Sequence, residues 1–161
     1  MIIIRQFQSG EEAELRKLMF DTIRSVNIQH YSNSQVNAWA YSDVADKGWQ
    51  DRLRSNQPLV AVLNGKIVGF ADIQADGLID HFFCHAEHQG QGIGKALMLA
   101  LLEHSKITNT TRLFSHVSKT AKPFFEHFGF QVIKEQQVNV RGEVLTNYLM
   151  EKDMPAYYYL P

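Results

Sequence analysis

Gln89-Gly90-Gln91-Gly92-Ile93-Gly94 sets three glycines at alternate positions, between the apolar run Leu78 to His85 and a stretch with Ile93, Ala96, Leu97, Ala100 and Leu101 at helical spacing. The order is strand, glycine-rich loop, helix. Such a loop leaves its backbone N–H groups bare, and the first N–H groups of a helix have no intrahelical partner. The helix dipole adds roughly half a positive charge at that end, so the chemistry implied is anion binding, with a diphosphate as the natural ligand. A tight turn alone could use Gly90 and Gly92, with Gly94 admitting a close helix contact, yet a turn does not need three alternate glycines. Two common diphosphate loops fail on spacing. The nucleotide-triphosphate loop needs Gly-Lys followed by Ser or Thr, whereas Ala96 follows Gly94-Lys95, and Gln89 stands at the earlier glycine position. The dinucleotide fingerprint needs a glycine where Lys95 stands and an acid about twenty positions on, where Thr110, Thr111 and Arg112 stand.

Other reactive side chains cluster just before the loop. His81, His85 and His88 invite a metal reading, but on one strand His81 and His85 lie ~13 Å apart, too far to share an ion. No metal is expected. Cys84, between Phe83 and His85, reads as a small buried or half-buried side chain rather than a nucleophile.

The elements that must position these residues follow from period and punctuation. Ile2 to Phe7 is a short apolar opening, and Ser9 stands three residues before Glu12, the capping-box spacing, so a first helix is expected to about Arg24. Ser34 to Trp39 and Asp46 to Arg54 read as two short helices. Leu59 to Leu63 and Ile67 to Ile73 form a hairpin about Asn64-Gly65, and Asp76-Gly77 leads into Leu78 to His85, giving an antiparallel meander. Beyond the loop helix, Leu113 to Val117 reads as a strand and Thr120 to Phe128 as a helix. With Thr120 as its cap, Pro123 falls at the third helical position, where no N–H bond is lost. Phe130 to Val140 and Val144 to Met150 close the chain as a hairpin turned at Arg141-Gly142.

Composition bounds the function. The chain has 161 residues, 45% hydrophobic and 20% charged, which suits a single domain spanning 1–161. Sixteen Lys plus Arg against seventeen Asp plus Glu offer no footprint for nucleic acid. The longest apolar run, Ala96 to Leu102, is seven residues, well under the ~18 that a membrane span needs. Met1 to Arg5 does not read as a secretory signal, and a lone cysteine excludes an intrachain disulfide, so a cytoplasmic setting is expected.

The glycine loop resembles the signature of the GCN5-related N-acetyltransferase superfamily: Gln or Arg, two residues, Gly, one residue, Gly or Ala. The order of elements agrees over nearly the whole chain, and Ala121-Lys122-Pro123-Phe124-Phe125-Glu126-His127-Phe128-Gly129-Phe130 resembles the family's late helix ending in Gly-Phe. The resemblance implies an α/β (α+β) fold with a mixed, mainly antiparallel sheet flanked by helices, and acetyl-coenzyme A as cosubstrate. It implies that Gln89, Gly90, Gln91, Gly92, Ile93 and Gly94, with Lys95 and Ala96, cradle the diphosphate. Phe82, Phe83 and Cys84 match the segment whose backbone pairs with the pantetheine arm, in a slot opened against the Leu113–Val117 strand. Ser118 stands where many members carry an Asn that touches the cofactor.

The implied reaction moves acetyl from a thioester to an amine, which needs a neutral amine, a donor to the carbonyl oxygen and a tolerable thiolate. Asp80, four residues before Cys84, matches a place that carries a catalytic Glu in some branches and is the expected base, acting through water, the alternative being a structural carboxylate that caps a loop or pairs with a cation. Many members use a Tyr to protonate the departing sulfur, and Phe125 stands there. Tyr148 or Tyr31 is the expected substitute. Tyr31, Trp39, Tyr41 and Trp49 fall in the segment that forms one wall of the family's acceptor site, suiting a small-molecule or peptide amine. Without the missing Tyr, a module that binds acyl-coenzyme A without turnover is the alternative. The tail Ala156-Tyr157-Tyr158-Tyr159-Leu160 suits packing on its own domain or on a second copy in a homodimer.

Overall fold

The computed structural model describes residues 1–155, so the aromatic tail from Ala156 lies outside the described residues. In chain order the elements are β1 (Ile2–Gln6), α1 (Glu12–Ser25), α2 (Asn33–Trp39), α3 (Lys47–Asn56), β2 (Leu59–Leu63), β3 (Lys66–Ala71) and β4 (Phe82–Cys84). α4 (Ile93–Ile107), β5 (Arg112–Ser118), α5 (Lys122–His127), β6 (Gln131–Val140) and β7 (Glu143–Asp153) follow. Short 3-10 turns at Asn27–Gln29 and Ala86–His88 complete the path.

Local pattern explains most of these. α1 buries Leu15, Leu18, Met19, Thr22 and Ile23, one stripe at helical spacing. β5 buries Leu113, Ser115 and Val117 and turns Arg112 and His116 outward, a period of two. The expected Ser9 cap is not made. The Glu11 carboxylate accepts the Gln8 N–H at 2.7 Å and that of Glu12 accepts the Gly10 N–H at 2.8 Å, so glutamates take over the role of the serine. α2 starts from Ser32, two residues before the expected Ser34, in a capping box with Gln35. Pro123 sits at the second position of α5 rather than the third, because Ser118 Oγ takes the Ala121 N–H at 3.1 Å and Thr120 turns to His30 instead. It still lies in the first turn, where proline costs no hydrogen bond.

The strands form the expected mixed, mainly antiparallel arrangement, split into two antiparallel sheets, β1-β2-β3-β4 and β5-β7-β6. They meet through a parallel bridge between Leu78 and Phe114, with the Ile79 N–H donating to Phe114 O at 2.8 Å. That crossing shortens the meander. The expected strand from Leu78 to His85 pairs with β3 only over Phe82–Cys84, since Leu78 and Ile79 have gone to β5 and the Asp72 carboxylate takes the N–H groups of Asp80 and His81. From this junction β4 and β5 run as the facing edges of the two sheets.

Helices cover both faces. Leu15, Ile23, Trp49, Leu53 and Phe70 fill one core beneath α1 and α3, and Leu97, Met98, Leu101, Leu113, Phe125 and Met150 fill the other beneath α4 and α5. α4 lies directly on β3: a Cβ at Gly69 would come within 2.9 Å of Ile93 and 3.0 Å of Leu97. The β6–β7 turn places Arg141 at φ 47°, a left-handed conformation that costs a non-glycine residue roughly 1–2 kcal/mol.

Candidate active site

Gly92 is the residue before the first turn of α4, at φ 84°, and Gly90 precedes it at φ 73°. Both conformations are open to glycine and rare for other residues. The first intrahelical bond runs from Ala96 N to Gly92 O at 3.0 Å, and among the described residues nothing accepts from the N–H groups of Gln89 through Lys95. This is the bare donor set that a diphosphate requires. One expected member drops out: the Ala96 N–H is spent in the helix. The Gln91 side chain turns aside, its oxygen lying 3.2 Å from His88 Nδ1, while its N–H stays in the bare set. Gly94 serves a close approach: a Cβ there would meet the Phe124 ring at 3.1 Å. Gln89 ties the loop to the end of β4, donating to Cys84 O at 3.0 Å.

A cavity of about 760 Å³ runs from this loop between β4 and β5, lined by Phe82, Phe83, Cys84, Ser118 and Phe125 among others. It is large enough for a drug-sized ligand or cofactor. In an antiparallel ladder alternate residues share an edge, and His85 N and His81 O both bond to the β3 side. Phe82 and Cys84 therefore turn their backbone groups to the slot. Cys84 O is already taken by Thr22 Oγ1 and Gln89, which leaves the Phe82 N–H and C=O and the Cys84 N–H for a ligand. Burial pushes the Cys84 thiol up to about 11, so it is no nucleophile at neutral pH. Ser118 Oγ accepts from Ala121 N and, at 3.4 Å, from Asn27 Nδ2, which keeps its own O–H free. Phe125 is 2% exposed, an apolar wall against Phe82 and Phe130.

At the far end Asp72, Asp80 and His81 converge. Asp72 is 1% exposed and accepts from Asp80 N, His81 N, Asn56 Nδ2 and, at 2.7 Å, His81 Nδ1. This contact fixes the His81 ring as a donor at Nδ1. No buried side-chain nitrogen or oxygen among the described residues lacks a partner, and the His81 hydrogen bond to a side chain is made through Nδ1, so Nε2 opens on the cavity that His81 lines. Asp80 also lines the cavity but is committed, since Arg52 binds it with two N–H groups at 2.9 and 2.7 Å and Asn56 donates at 3.0 Å. Burial alone would raise the Asp80 carboxyl, but the electrostatic pull of the neighbouring His81 ring and the Arg52 and Asn56 contacts outweigh it and hold it below the usual carboxylate range. A carboxylate so held is a weak base. The three ligand atoms lie within 4.8 Å of one another, but Arg52 already occupies both Asp80 oxygens where a cation would sit.

The tyrosines fare differently. Tyr148 is not among the residues lining the cavity; its ring packs with the α4–α5 core, 5.4 Å from Lys122 Nζ. Its position on β7 opposite Val117 keeps it on the covered side of the sheet, which corrects the expectation that it reaches the sulfur. Tyr31 does line the cavity, but its hydroxyl donates to Thr146 O at 2.7 Å and accepts the Lys119 N–H at 2.9 Å, and burial raises it further above its ordinary range. Trp39, Tyr41 and Trp49 line this end as expected. Sequence reasoning missed Asp72, although an aspartate inside the apolar run Ile67 to Ile73 is the signature of a buried, partnered charge.

Residues 27–152 match the model of a family described as an acetyltransferase (GNAT) domain. Over 149 residues the chain is 35% identical to the uncharacterized N-acetyltransferase YafP of Escherichia coli strain K12, covering 92% of this chain and 94% of that one. Its fold is similar to the GCN5-related N-acetyltransferase (Aminotransferase, Class-II) of Rhodopseudomonas palustris, with a TM-score of 0.89 at 27% identity over 94% of this chain and 95% of that chain. The PaiA N-acetyltransferase of Thermoplasma acidophilum, solved in complex with coenzyme A, shares the fold with a TM-score of 0.72 at 19% identity, over 96% and 99% of the two chains. Among the described residues no helix is long and apolar enough to cross a membrane.

Proposed function

The chain belongs to the GCN5-related N-acetyltransferase family, and from that premise we propose that it transfers acetyl from acetyl-coenzyme A directly to the primary amine of a small acceptor. The observation that carries this reading is one cavity lined by the glycine loop with its bare N–H groups and by His81, whose ring the buried Asp72 holds from behind. The coenzyme A bound to the T. acidophilum relative supports the same ligand here. The diphosphate lies on the loop amides beside Lys95, and the pantetheine arm pairs with the free edge of β4, with Ser118 and Phe125 as its other wall.

An alkylamine is mostly protonated at pH 7, so its proton must leave before attack. His81 takes it at Nε2, while Asp72 holds the ring by its Nδ1–H. Asp80, whose Oδ2 lies 3.7 Å from His81 Nδ1, acts as a positioning residue beside the imidazolium that forms. The Cys84 N–H, turned to the slot, donates to the carbonyl oxygen as charge develops there. The sulfur leaves as thiolate, ~1.5 units or ~2 kcal/mol uphill at pH 7, so an acid in place of Phe125 is dispensable. Phe125 favours a second reading, a binding module without turnover.

Incubation with acetyl-coenzyme A and an amine library, read as free thiol, separates the two. Steady thiol release with some amine supports transfer; tight binding without release supports the module. No heat with coenzyme A or acetyl-coenzyme A in calorimetry would overturn both. The reading keeps a cytoplasmic setting, and a second copy as a partner for the aromatic tail, which light scattering of the full chain tests.

A further inference from the structure

The acceptor end of the cavity carries more positive charge than its acids balance. Arg52 is matched by Asp80, but Arg16 and Arg141, which line the same end, make no ion pair with any carboxylate among the described residues. Each is instead anchored by a carbonyl: Arg16 Nε donates to Ser42 O at 3.0 Å, and Arg141 Nη1 donates to Ala38 O at 3.0 Å. The remaining N–H groups of both forks are unspent. The two guanidinium carbons lie 5.6 and 3.4 Å from the centre of the Tyr41 ring, so both cations sit against one aromatic side chain within about 9 Å of each other. Arg16 also lies 5.2 Å from the Trp49 ring, which in turn has the His81 ring at 5.4 Å. One indole therefore separates the unpaired charge from the imidazole.

We propose that Arg16 and Arg141 bind an oxyanion of the acceptor, so that the acceptor is an amine bearing a carboxylate or phosphonate a few bonds from the reacting nitrogen. Arg141 occupies a turn position at φ 47° that suits asparagine or glycine, so the turn itself gives no reason for an arginine there. A polyamine would bring positive charge against both guanidiniums and is excluded as the preferred acceptor. The aromatic lining of Trp39, Tyr41 and Trp49 leaves room for an apolar side group on the same molecule.

This deepens the transfer reading and rests on it for the location of the acceptor, but its test is one of binding. The full chain loaded with coenzyme A is titrated with L-phenylalanine against phenethylamine, L-leucine against 3-methylbutylamine, and 2-aminoethylphosphonate against ethylamine. At least one acid should bind ten-fold or more tightly than its partner, and Arg16→Gln and Arg141→Gln should each bring that ratio close to one. Equal or weaker binding of the acid in all three pairs overturns the proposal, as does a ratio that survives both substitutions. Should one variant fold poorly, the wild-type ratios and the other variant still decide. A lack of thiol release in the separate turnover assay would sink transfer while leaving the ratios as they stand.

Discussion

Asp72 holds four donors in a site closed to water, and its charge is the hinge of the catalytic end. Asp72→Asn turns an amide toward some of those donors and is expected to cost about 1–3 kcal/mol of stability in denaturant titration. Its kcat should fall while the KM for acetyl-coenzyme A stays near wild type, since the diphosphate lies at the other end of the cavity. His81→Ala removes the proposed base, so a loss of about 10²-fold in kcat/KM is expected, partly restored by added imidazole. Asp80 belongs to a different kind of experiment. Its carboxyl is held below the unfolded value, so its contribution to stability is full above that value, near pH 4, and is lost as pH falls through the folded one. Asp80→Asn should be less stable than wild type at pH 7 and should lose less stability on acidification below about pH 4. Of this end of the site the sequence singled out Asp80, as a base, because it matches a place that carries a Glu in some branches of the family; its pairing with Arg52 and Asn56 comes from α3, far off in the chain. The pairing of Asp72 with His81 was not legible, because it depends on a strand register across nine positions and on a carboxylate turning back to cap backbone N–H groups.

At the scale of the element, the start of α4 carries the coenzyme end and was the most legible part of the chain. Loop and helix are contiguous, so spacing alone places the donors, and only Ala96 departs. Nothing lies within 4 Å of a Cβ built at Gly92, so Gly92→Ala carries backbone strain without a clash, about 1 kcal/mol in a thermal melt. Gly92→Glu should melt at a similar temperature yet bind coenzyme A at least 100-fold more weakly in calorimetry, because its carboxylate meets the diphosphate. Equal affinity of the two variants would remove the loop from the site. The hairpin turns at Asn64-Gly65 and Arg141-Gly142 were read correctly because each carries a glycine, Gly65 and Gly142, where the turn needs positive φ. The third meander strand was overread, since its first residues are claimed by β5, a partner 36 positions away from Leu78.

Across the whole molecule, the two sheets are joined at Leu78 and Phe114, and the edges of β4 and β5 face the cavity. A ligand lying between those edges should couple them. Coenzyme A at 100 times its Kd adds about 2.7 kcal/mol by mass action, which for a chain of this size is a rise in Tm of roughly 5–10 °C. Hydrogen exchange should slow at the Phe82 and Cys84 amides, which are turned toward the ligand, more than at Phe83, which is bonded to β3 in either state.

The brevity of β4 has a colloidal consequence. A long bare strand margin invites a foreign chain to add itself and seed clumping, but three residues offer too few rungs for such a guest to hold. On its β4 side the cleft can thus stand open for a ligand without offering a template for strand addition.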